Sequence, residues 1–276
     1  MPELPEVETT ISDLKNLEGF TILSIKLYRR NLRYIIPKKT NIIAKNAKIL
    51  IIYRKAKYII FKLDNGYSLI IHLGMSGRIK CFNIDNSPKL EKNDHVEVFL
   101  SNNLKIILND PRRFGIFDII KSRQIKEHRY FSKLGLDPFS KNFSLAYLSD
   151  KLRNSKSNIK IFLLNQRIIT GIGNIYACEI LFDCKISPLK ITNTISDNKT
   201  KKLYNSIIKI LKKAIKNRGS SIRDYRSIDG KLGNFQNNFI VYNKAGEYLK
   251  FSNKKLKIVK IIQSGRSTFY CPSIQK

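Results

Sequence analysis

The stretch "KYIIFKLDNGYSLIIHL", residues 57–73, decides the first half of the fold. It consists of two runs rich in β-branched and aromatic residues on either side of the turn sequence Asp64-Asn65-Gly66, which is typical of two strands. Similar short runs extend outward from it, from Phe20 to about Lys121, with "GMSG" and "SNN" between them. So many short strands predict a β-sandwich or a barrel.

The sequence on either side of this β-rich stretch has a different pattern. Apolar residues recur at helical spacing near the start and predict a helix from about Glu6 to Glu18. A charged connector at 122–143 leads to a helical region from about Ser144 to Asn217, and the remaining residues alternate again as β-ribbons. We therefore predict an α+β multidomain protein with a β domain at 1–121, a helical domain at 144–235 and a small basic β appendage at 236–276.

The composition favours a polyanionic partner. The 276 residues include 52 Lys and Arg against 21 Asp and Glu, a formal net charge of +31, while 42% of the chain is hydrophobic, as in a globular protein. A surface this basic favours nucleic acid, and the charge is spread along the whole chain, unlike that of a globular enzyme with one disordered arm. A coding bias toward lysine is the alternative source of part of the excess.

The cysteines and the apolar runs indicate an intracellular protein. Cys81, Cys178, Cys184 and Cys271 form no C-x-x-C pair, so neither a disulfide framework nor a four-cysteine zinc site is spelled out. No apolar run approaches the roughly 20 residues that a membrane span needs, and no charged-then-apolar leader begins the chain. We expect a soluble, cytoplasmic, bacterial-type protein.

The first residues, "MPELPEVE", place an amine next to carboxylates. Removal of Met1 leaves the secondary amine of Pro2, and an α-amino group titrates near pH 8, so part of it is uncharged at neutral pH. Such an amine attacks a sugar C1′ to form an iminium, and Glu3 or Glu6 can act as general acid or base. Pro followed by Glu is also ordinary helix capping, and these residues alone favour that interpretation.

Six motifs together resemble the formamidopyrimidine-DNA glycosylase family, the bifunctional base-excision repair enzymes. They are "MPELPEVETT", "KAKY", "HLGMSG", "DPRRFG", "GIGNIYA" and "GRSTFYC", in that family's order and spacing. The resemblance implies an N-terminal β-sandwich with a helix, a helix-two-turn-helix domain and a C-terminal finger hairpin. The opening "PELPEVE" is similar to the oxidised-purine branch, whereas the endonuclease VIII branch has Gly in place of Leu4.

The resemblance also implies which residues act on the sugar and the base. Pro2 matches the nucleophile, Glu3 the acid that assists at the deoxyribose, and Glu6 a further active-site carboxylate. Lys57 of "KAKY" matches a lysine placed on the phosphate or base near the lesion. By itself Lys57 reads as a solvated charge at a strand edge.

A second set of matching residues is expected to bind the DNA and to fill the space that an extruded nucleotide leaves in the base stack. An extruded nucleotide leaves a hole in the stack, which an apolar wedge and a planar cation can fill. The family fills it from "HLGMSG" and "DPRRFG", which assigns His72, Met75, Arg112, Arg113 and Phe114 to DNA. The alternative is that Met75 and Phe114 are core residues.

The helical region and the loop after it complete the expected site. Asn174 opens a helix after a glycine turn, where backbone N–H groups bind phosphate, and Lys160 matches a lysine that binds the DNA backbone. The segment 218–235 matches the loop that closes over an extruded purine, and its candidate contacts are Ser220, Ser221, Arg223 and Tyr225.

The tail lacks the metal ligands of the family. The four cysteine positions of the usual zinc finger fall on Leu249, Ser252, Cys271 and Ile274. One thiolate does not hold structural zinc, which takes about four ligands. We expect a zincless β-hairpin finger with no metal or other cofactor, in which Arg266 keeps its contact with the DNA phosphates.

The expected function is therefore removal of oxidised purines, such as 8-oxoguanine and formamidopyrimidines, from duplex DNA with abasic-site lyase activity. The expected partner is double-stranded DNA with oxidised bases or abasic sites, bound by a monomer. One alternative is an endonuclease VIII-like preference for oxidised pyrimidines. The other is a non-catalytic damaged-DNA-binding protein, which needs no free amine beside carboxylates.

Overall fold

The computed structural model describes residues 1–220, 233–251 and 254–276. The chain divides into two compact units, 1–132 with 217–236, and 133–216 with 237–276. The segment 217–236 therefore groups with the N-terminal unit, although the sequence placed it with the helical domain. The physical reason is that Arg218 and Ser220 hydrogen-bond to side chains of the N-terminal helix.

The first unit is built on two four-stranded antiparallel sheets. The strands are β1 Ile22–Leu27, β2 Ile49–Lys55, β3 Tyr58–Leu63, β4 Tyr67–His72, β5 Arg78–Asn83, β6 Asp94–Leu100, β7 Leu104–Asn109 and β8 Ile116–Lys121. One sheet has the order β1-β6-β7-β5 and the other β2-β3-β4-β8. Residues 57–73 form the β3–β4 hairpin in the middle of the second sheet. The sheets remain separate, so the fold is the sandwich that the resemblance implies and not the barrel that the strand pattern alone left open.

Both sheets and the N-terminal helix share one apolar core. The helix α1 spans Leu4–Leu14 and continues as one 3₁₀ turn, Lys15–Leu17, so it begins two residues earlier than the sequence pattern predicts. Val7, Ile11 and Leu14 lie in the same buried cluster as residues from strands of both sheets. This packing anchors the start of the chain, where the candidate nucleophile lies. A short helix, α2, spans Thr40–Ala44.

The second unit begins with four helices. They are α3 Leu145–Arg153, α4 Ile159–Leu164, α5 Asn174–Asp183 and α6 Asp197–Lys216. The face of α6 that the sequence predicts to be apolar is buried, including Leu203, Ile207 and Leu211. The opposite face carries the lysines in solvent, as an amphipathic helix requires.

Two antiparallel ribbons complete the second unit. The first pairs β9 Tyr248–Phe251 with β10 Lys254–Lys257, and the second pairs β11 Val259–Gln263 with β12 Arg266–Tyr270. A buried cluster of Cys178, Val241, Ile258 and Phe269 joins the ribbons to α5. Among the residues that the structure describes, no helix combines the length and apolar character needed to cross a membrane.

Candidate functional site

The start of α1 brings Pro2, Glu3 and Glu6 together. All three are buried, and the two glutamates are only 3% and 2% exposed. The Glu6 carboxylate accepts a hydrogen bond of 2.8 Å from the Glu3 backbone N–H, three residues back. This is the capping arrangement expected from the sequence, and it places two carboxyl groups beside the residue that follows Met1.

Ser220 joins this group from the far end of the chain. Its backbone N–H and its hydroxyl both donate to Glu6 Oε1, at 2.8 and 3.1 Å. Gly219 makes the approach possible, because it has φ +70° and a Cβ there would lie 2.8 Å from Glu6 Oε1. Arg218, two residues before Ser220, donates two hydrogen bonds of 2.7 and 2.8 Å to Asp13, which lies further along α1. The candidates Ser221, Arg223 and Tyr225 lie outside the described residues.

Lys57 lies in the tight turn between β2 and β3. It is only 6% exposed, so it is not the solvated strand-edge charge of the simpler interpretation. The preceding residue, Ala56, has φ +54°, and its carbonyl accepts from Arg54, which is itself paired with Glu8 of α1. The turn is thus tied to the helix that begins two residues after Pro2.

His72 ends β4 as a neutral side chain. Its Nδ1 accepts a hydrogen bond of 3.0 Å from the backbone N–H of Gly74, so the proton of the neutral ring is on Nε2, which is a donor. Burial, followed by the positive charges of Lys57 and Arg33, lowers the pKa of His72 to about 3. The ring therefore stays uncharged at neutral pH.

Two loops present large side chains at one end of the sandwich. Met75 is 41% exposed and Phe114 is 44% exposed, which disfavours the interpretation of either as a core residue. The guanidinium carbon of Arg112 lies 4.9 Å from the centre of the Phe114 ring. Arg113 is exposed beside them and adopts φ +58°.

These loops border an open cleft of about 650 Å³ in the first unit. Its wall contains His72, Gly74, Met75, the sequence Arg112 to Phe114, and also Met1 and Asn31 to Arg33. Arg33 was missed by sequence reasoning, since it lies outside every motif. It is recognisable only in three dimensions, where its charge acts on His72 and its N–H donates to Gly115 O at 3.2 Å.

In the second unit, two candidate residues converge on one carbonyl. Asn174, the first residue of α5, donates to the Ser267 carbonyl at 2.9 Å, and Lys160 donates to the same oxygen at 3.0 Å. Lys160 is fully buried and also donates to Thr268 Oγ1. The sequence predicted a lysine that reaches the DNA backbone, whereas here its ammonium group lies inside the unit and holds β12. Arg266, the neighbour of Ser267, is exposed.

A buried glutamate that the sequence did not single out holds the segment leading into the ribbons. Glu179 of α5 is 3% exposed and accepts hydrogen bonds from the backbone N–H groups of Ile240, Val241 and Tyr242. Burial raises the pKa of Glu179 above its ordinary value, and the three backbone donors offset this rise only in part. The signal available in the sequence was an acid in an otherwise apolar helix, "NIYACEILF".

The tail has the packing of a ribbon end and lacks the donors of a zinc finger. Cys271 is fully buried, and its N–H donates to Gln275, whose amide donates in turn to the Ile186 carbonyl. Leu249 packs against the buried cluster of the ribbons. Ser252 lies outside the described residues. Within the described ranges, no group of three or more His, Cys, Asp or Glu is placed to hold a metal ion. Of the four positions that carry the cysteines of the usual finger, only Cys271 offers a thiolate, and this donor set does not fit a structural zinc.

Comparison with known families matches both units. Residues 1–117 match the family described as the formamidopyrimidine-DNA glycosylase N-terminal domain, and residues 134–226 match the formamidopyrimidine-DNA glycosylase H2TH domain. Among curated proteins, the formamidopyrimidine-DNA glycosylase of Zymomonas mobilis is 42% identical over 277 residues, covering 100% of both chains. That of Roseobacter denitrificans is 39% identical over 283 residues, again covering 100% of both.

Solved structures give the same result. The complex between Lactococcus lactis Fpg and DNA containing an abasic site matches with a TM-score of 0.90 and 36% identity over 99% of each chain. A complex between a mutant of that Fpg and DNA containing Fapy-dG matches with a TM-score of 0.90 and 35% identity over 100% of each chain.

Proposed function

The chain belongs to the formamidopyrimidine-DNA glycosylase family and is a DNA glycosylase of DNA repair, and from this premise we propose that it excises oxidised purines from duplex DNA and cleaves the resulting abasic site. The observation that carries the proposal is the cluster at the start of α1. Pro2 is buried next to two carboxylates, and Ser220 is bonded to one of them. Binding alone needs no such cluster.

The proposed chemistry begins when removal of Met1 frees the secondary amine of Pro2. The amine attacks C1′, the glycosidic bond breaks, and the base leaves with a proton. The Pro2 nitrogen then loses its proton and the C1′–O4′ bond of the sugar ring breaks, with O4′ taking a proton, which makes an iminium between Pro2 and C1′. The iminium acidifies the C2′ hydrogen, so loss of that proton expels the 3′ phosphate, and a second elimination expels the 5′ phosphate. Glu3 is the proposed general acid and base, since its backbone position is held by Glu6.

Duplex DNA is the proposed partner, as in the complexes of the Lactococcus lactis relative. The Nε2–H of His72 and the Lys57 ammonium are proposed to contact backbone phosphates near the extruded nucleotide. Met75, Arg112 and Phe114 are proposed to fill the space that this nucleotide leaves. In the second unit, Lys160 and Asn174 hold the carbonyl beside Arg266, which supports a phosphate contact by Arg266.

The purine branch is favoured over the endonuclease VIII-like alternative by "PELPEVE", in which Leu4 is fully buried in the first turn of α1. The curated relatives described above share the name formamidopyrimidine-DNA glycosylase. Parallel excision assays on duplexes with 8-oxoguanine opposite cytosine and with an oxidised pyrimidine decide between the two. Faster release of the pyrimidine would overturn the assignment.

Borohydride trapping tests the nucleophile. We expect the wild-type protein with Met1 removed to form a covalent adduct with a duplex containing an abasic site, because borohydride reduces the iminium to a stable amine. Pro2→Gly removes the secondary amine and should lower adduct formation by at least about 100-fold. Pro5→Gly, in the same turn of α1, is the matched control and should still trap.

The control also separates folding from chemistry, since both variants must melt as cooperatively as the wild type. Equal trapping by the wild type and Pro2→Gly would refute the assignment of Pro2. Absence of any adduct with trimmed, folded wild-type protein would refute the lyase reaction itself.

We infer that the ribbons of this chain are stabilised without zinc, because apolar packing around Phe269 and Ile258 replaces the metal. Dialysis against a chelator should leave both the melting temperature and the trapping yield unchanged. Phe269→Ala, at a side chain that is 6% exposed, should lower the free energy of unfolding by about 3–5 kcal/mol. Stoichiometric zinc in the purified protein would contradict the inference.

A further inference from the structure

We propose that Asp110 and Ser76 are positioning residues that join the loops 74–77 and 110–115 into a single rigid wedge for entry into damaged DNA. The inference rests on the proposed function, because it assigns the wedge to Met75, Arg112 and Phe114. It concerns two buried side chains that are not part of the cluster around Pro2.

The two loops connect the sheets of the sandwich at the same end. The first runs from β4 of one sheet to β5 of the other, and the second returns from β7 to β8. They are therefore neighbours in space although 34 residues separate Ser76 from Asp110. Each loop exposes one large apolar side chain, Met75 in the first and Phe114 in the second.

Asp110 closes its own loop and reaches the other. It is fully buried, and its Oδ2 accepts a hydrogen bond of 2.7 Å from the N–H of Gly115 at the end of the same loop. Its Oδ1 accepts one of 2.8 Å from the hydroxyl of Ser76 in the opposite loop. Each carboxylate oxygen of Asp110 thus accepts a hydrogen bond, one from its own loop and one from the opposite loop.

Ser76 passes the connection on to the backbone of Arg112. Its hydroxyl gives its hydrogen to Asp110 and accepts from the Arg112 N–H at 3.1 Å. The side chain is 4% exposed, so water does not easily replace it when it is removed. The hydrogen bonds from Ser76 to Asp110 and from the Arg112 N–H to Ser76 therefore fix the backbone of Arg112, whose side chain belongs to the wedge.

Direct backbone contact makes the joint stiff. Gly74 has φ +60°, and a Cβ there would lie 2.4 Å from the Phe114 carbonyl carbon. The carbonyl of Asp110 is held as well, by Arg113 N–H at 3.1 Å and by the His95 ring at 2.9 Å. The residues flanking Met75 and Phe114 are therefore locked, while the tips remain in solvent.

This arrangement matters energetically because a wedge must be in place when stacking is lost. A loop that has to be ordered at that moment slows insertion, whereas a preorganised one does not. Removing the Ser76 hydroxyl leaves the Arg112 N–H and one Asp110 oxygen without these partners and removes the side-chain hydrogen bonds that link the two loops. We therefore expect the change to slow insertion into paired DNA and to leave the reaction at Pro2 unaffected.

The test measures insertion without any bond cleavage. The probe is a duplex with a non-cleavable abasic analogue and 2-aminopurine at the adjacent step of the opposite strand, whose fluorescence rises when the stack is opened. In stopped-flow mixing, Ser76→Ala and Asp110→Asn should slow the rise about tenfold. Ser76→Thr, which keeps the hydroxyl, should remain within about threefold of the wild type.

Ser68→Ala is the matched control, because Ser68 is also fully buried in the first unit and bonds to the Ser122 hydroxyl at 2.8 Å. It should lose a comparable amount of stability and leave the rate of the fluorescence rise within about twofold. Melting curves accompany every variant, and Asp110→Asn decides the question if Ser76→Ala does not fold.

A second readout separates insertion from chemistry. Borohydride trapping on an abasic site in single-stranded DNA needs Pro2 but no replacement of a stacked partner, so Ser76→Ala should trap within about twofold of the wild type. A wild-type rate of fluorescence rise in Ser76→Ala and Asp110→Asn would overturn the inference, as would an equal loss in both assays. A wild type that raises the fluorescence but never traps refutes the proposed chemistry and leaves the wedge standing.

Discussion

At the scale of single residues, the site depends on buried polar groups whose charge is set by their neighbours. Burial of His72, followed by the positive charges of Lys57 and Arg33, lowers the pKa of the ring and disfavours a second proton on it. The Gly74 N–H occupies Nδ1, so the remaining nitrogen is a donor in the neutral form. A neutral donor binds phosphate by hydrogen bonding without the cost of burying another cation beside Lys57.

The neutral state of His72 predicts a dependence of stability on pH. Its pKa is about 3 in the fold and near 6.5 in the unfolded chain, so the unfolded state alone takes up a proton as pH falls below about 6.5. The contribution is fully present above that pH and decreases toward pH 3. Between pH 7.5 and 5.5 the wild type should lose about 1.4 kcal/mol more than His72→Gln.

Denaturant unfolding of both proteins at the two pH values measures this difference directly. Titration of the other groups cancels in the comparison, including His128, whose pKa burial also lowers. The same loss in wild type and variant would show that His72 is charged in the fold.

At the scale of elements, the N-terminal helix organises the site by holding a segment from far along the chain. Glu6 and Asp13 lie on α1, and they bind Ser220 and Arg218 respectively. The Arg218–Asp13 pair is half exposed on the arginine side and contributes little to stability by itself. The hydrogen bonds from Ser220 to Glu6 are the stronger constraint. Both residues are buried, so water cannot replace these bonds when they are lost.

Gly219→Ala is expected to disturb this constraint. The new Cβ meets Glu6 Oε1 at 2.8 Å, and φ of +70° strains any residue with a side chain. The free energy of unfolding should fall by about 2–3 kcal/mol and the rate of lesion excision by at least about tenfold, because Glu6 shifts.

Gly66→Ala supplies the matched control. Gly66 has φ +81° with nothing within 4 Å of the added Cβ, so it has the backbone strain without the contact. It should cost about 1 kcal/mol and leave excision unchanged. Equal excision by both variants would show that the contact with Glu6 does not position the site.

At the scale of the whole molecule, the net charge of +31 is the property with the largest consequence for DNA. Each phosphate neutralised by a basic side chain releases counterions, so affinity falls steeply as salt increases. Arg266 lies directly after the β11–β12 turn, and its neighbour's carbonyl is fixed by Lys160 and Asn174. An arginine on a fixed backbone is expected to contribute more than an ordinary surface lysine.

Arg266→Gln should therefore reduce the slope of log affinity against log salt concentration by about 1. Arg153→Gln is the control, because Arg153 is exposed and already paired with Asp197 at 3.0 Å. Binding to a duplex with an abasic analogue, measured over a range of salt concentrations, gives both slopes. An unchanged slope in Arg266→Gln would exclude a phosphate contact there.

Local sequence patterns were sufficient to predict helices and strands and to identify the family. Alternating runs such as residues 57–73 predict strands, apolar spacing predicts α1 and α6, and the six motifs identify the family and its candidate residues. Such signals are local, because side chains two to four positions apart share a face of a strand or helix. The strand pattern alone left open the choice between sandwich and barrel, and only the resemblance to the family implied the sandwich.

The contacts between residues far apart in the chain became visible in the folded structure. Ser220 reaches Glu6 across 214 positions, Asp110 reaches Ser76 across 34, and Lys160 turns inward to the carbonyl of Ser267. No local pattern encodes these contacts, because they depend on the path of the chain and on the need of buried donors and acceptors for partners. That need joins residues from separate motifs into one site.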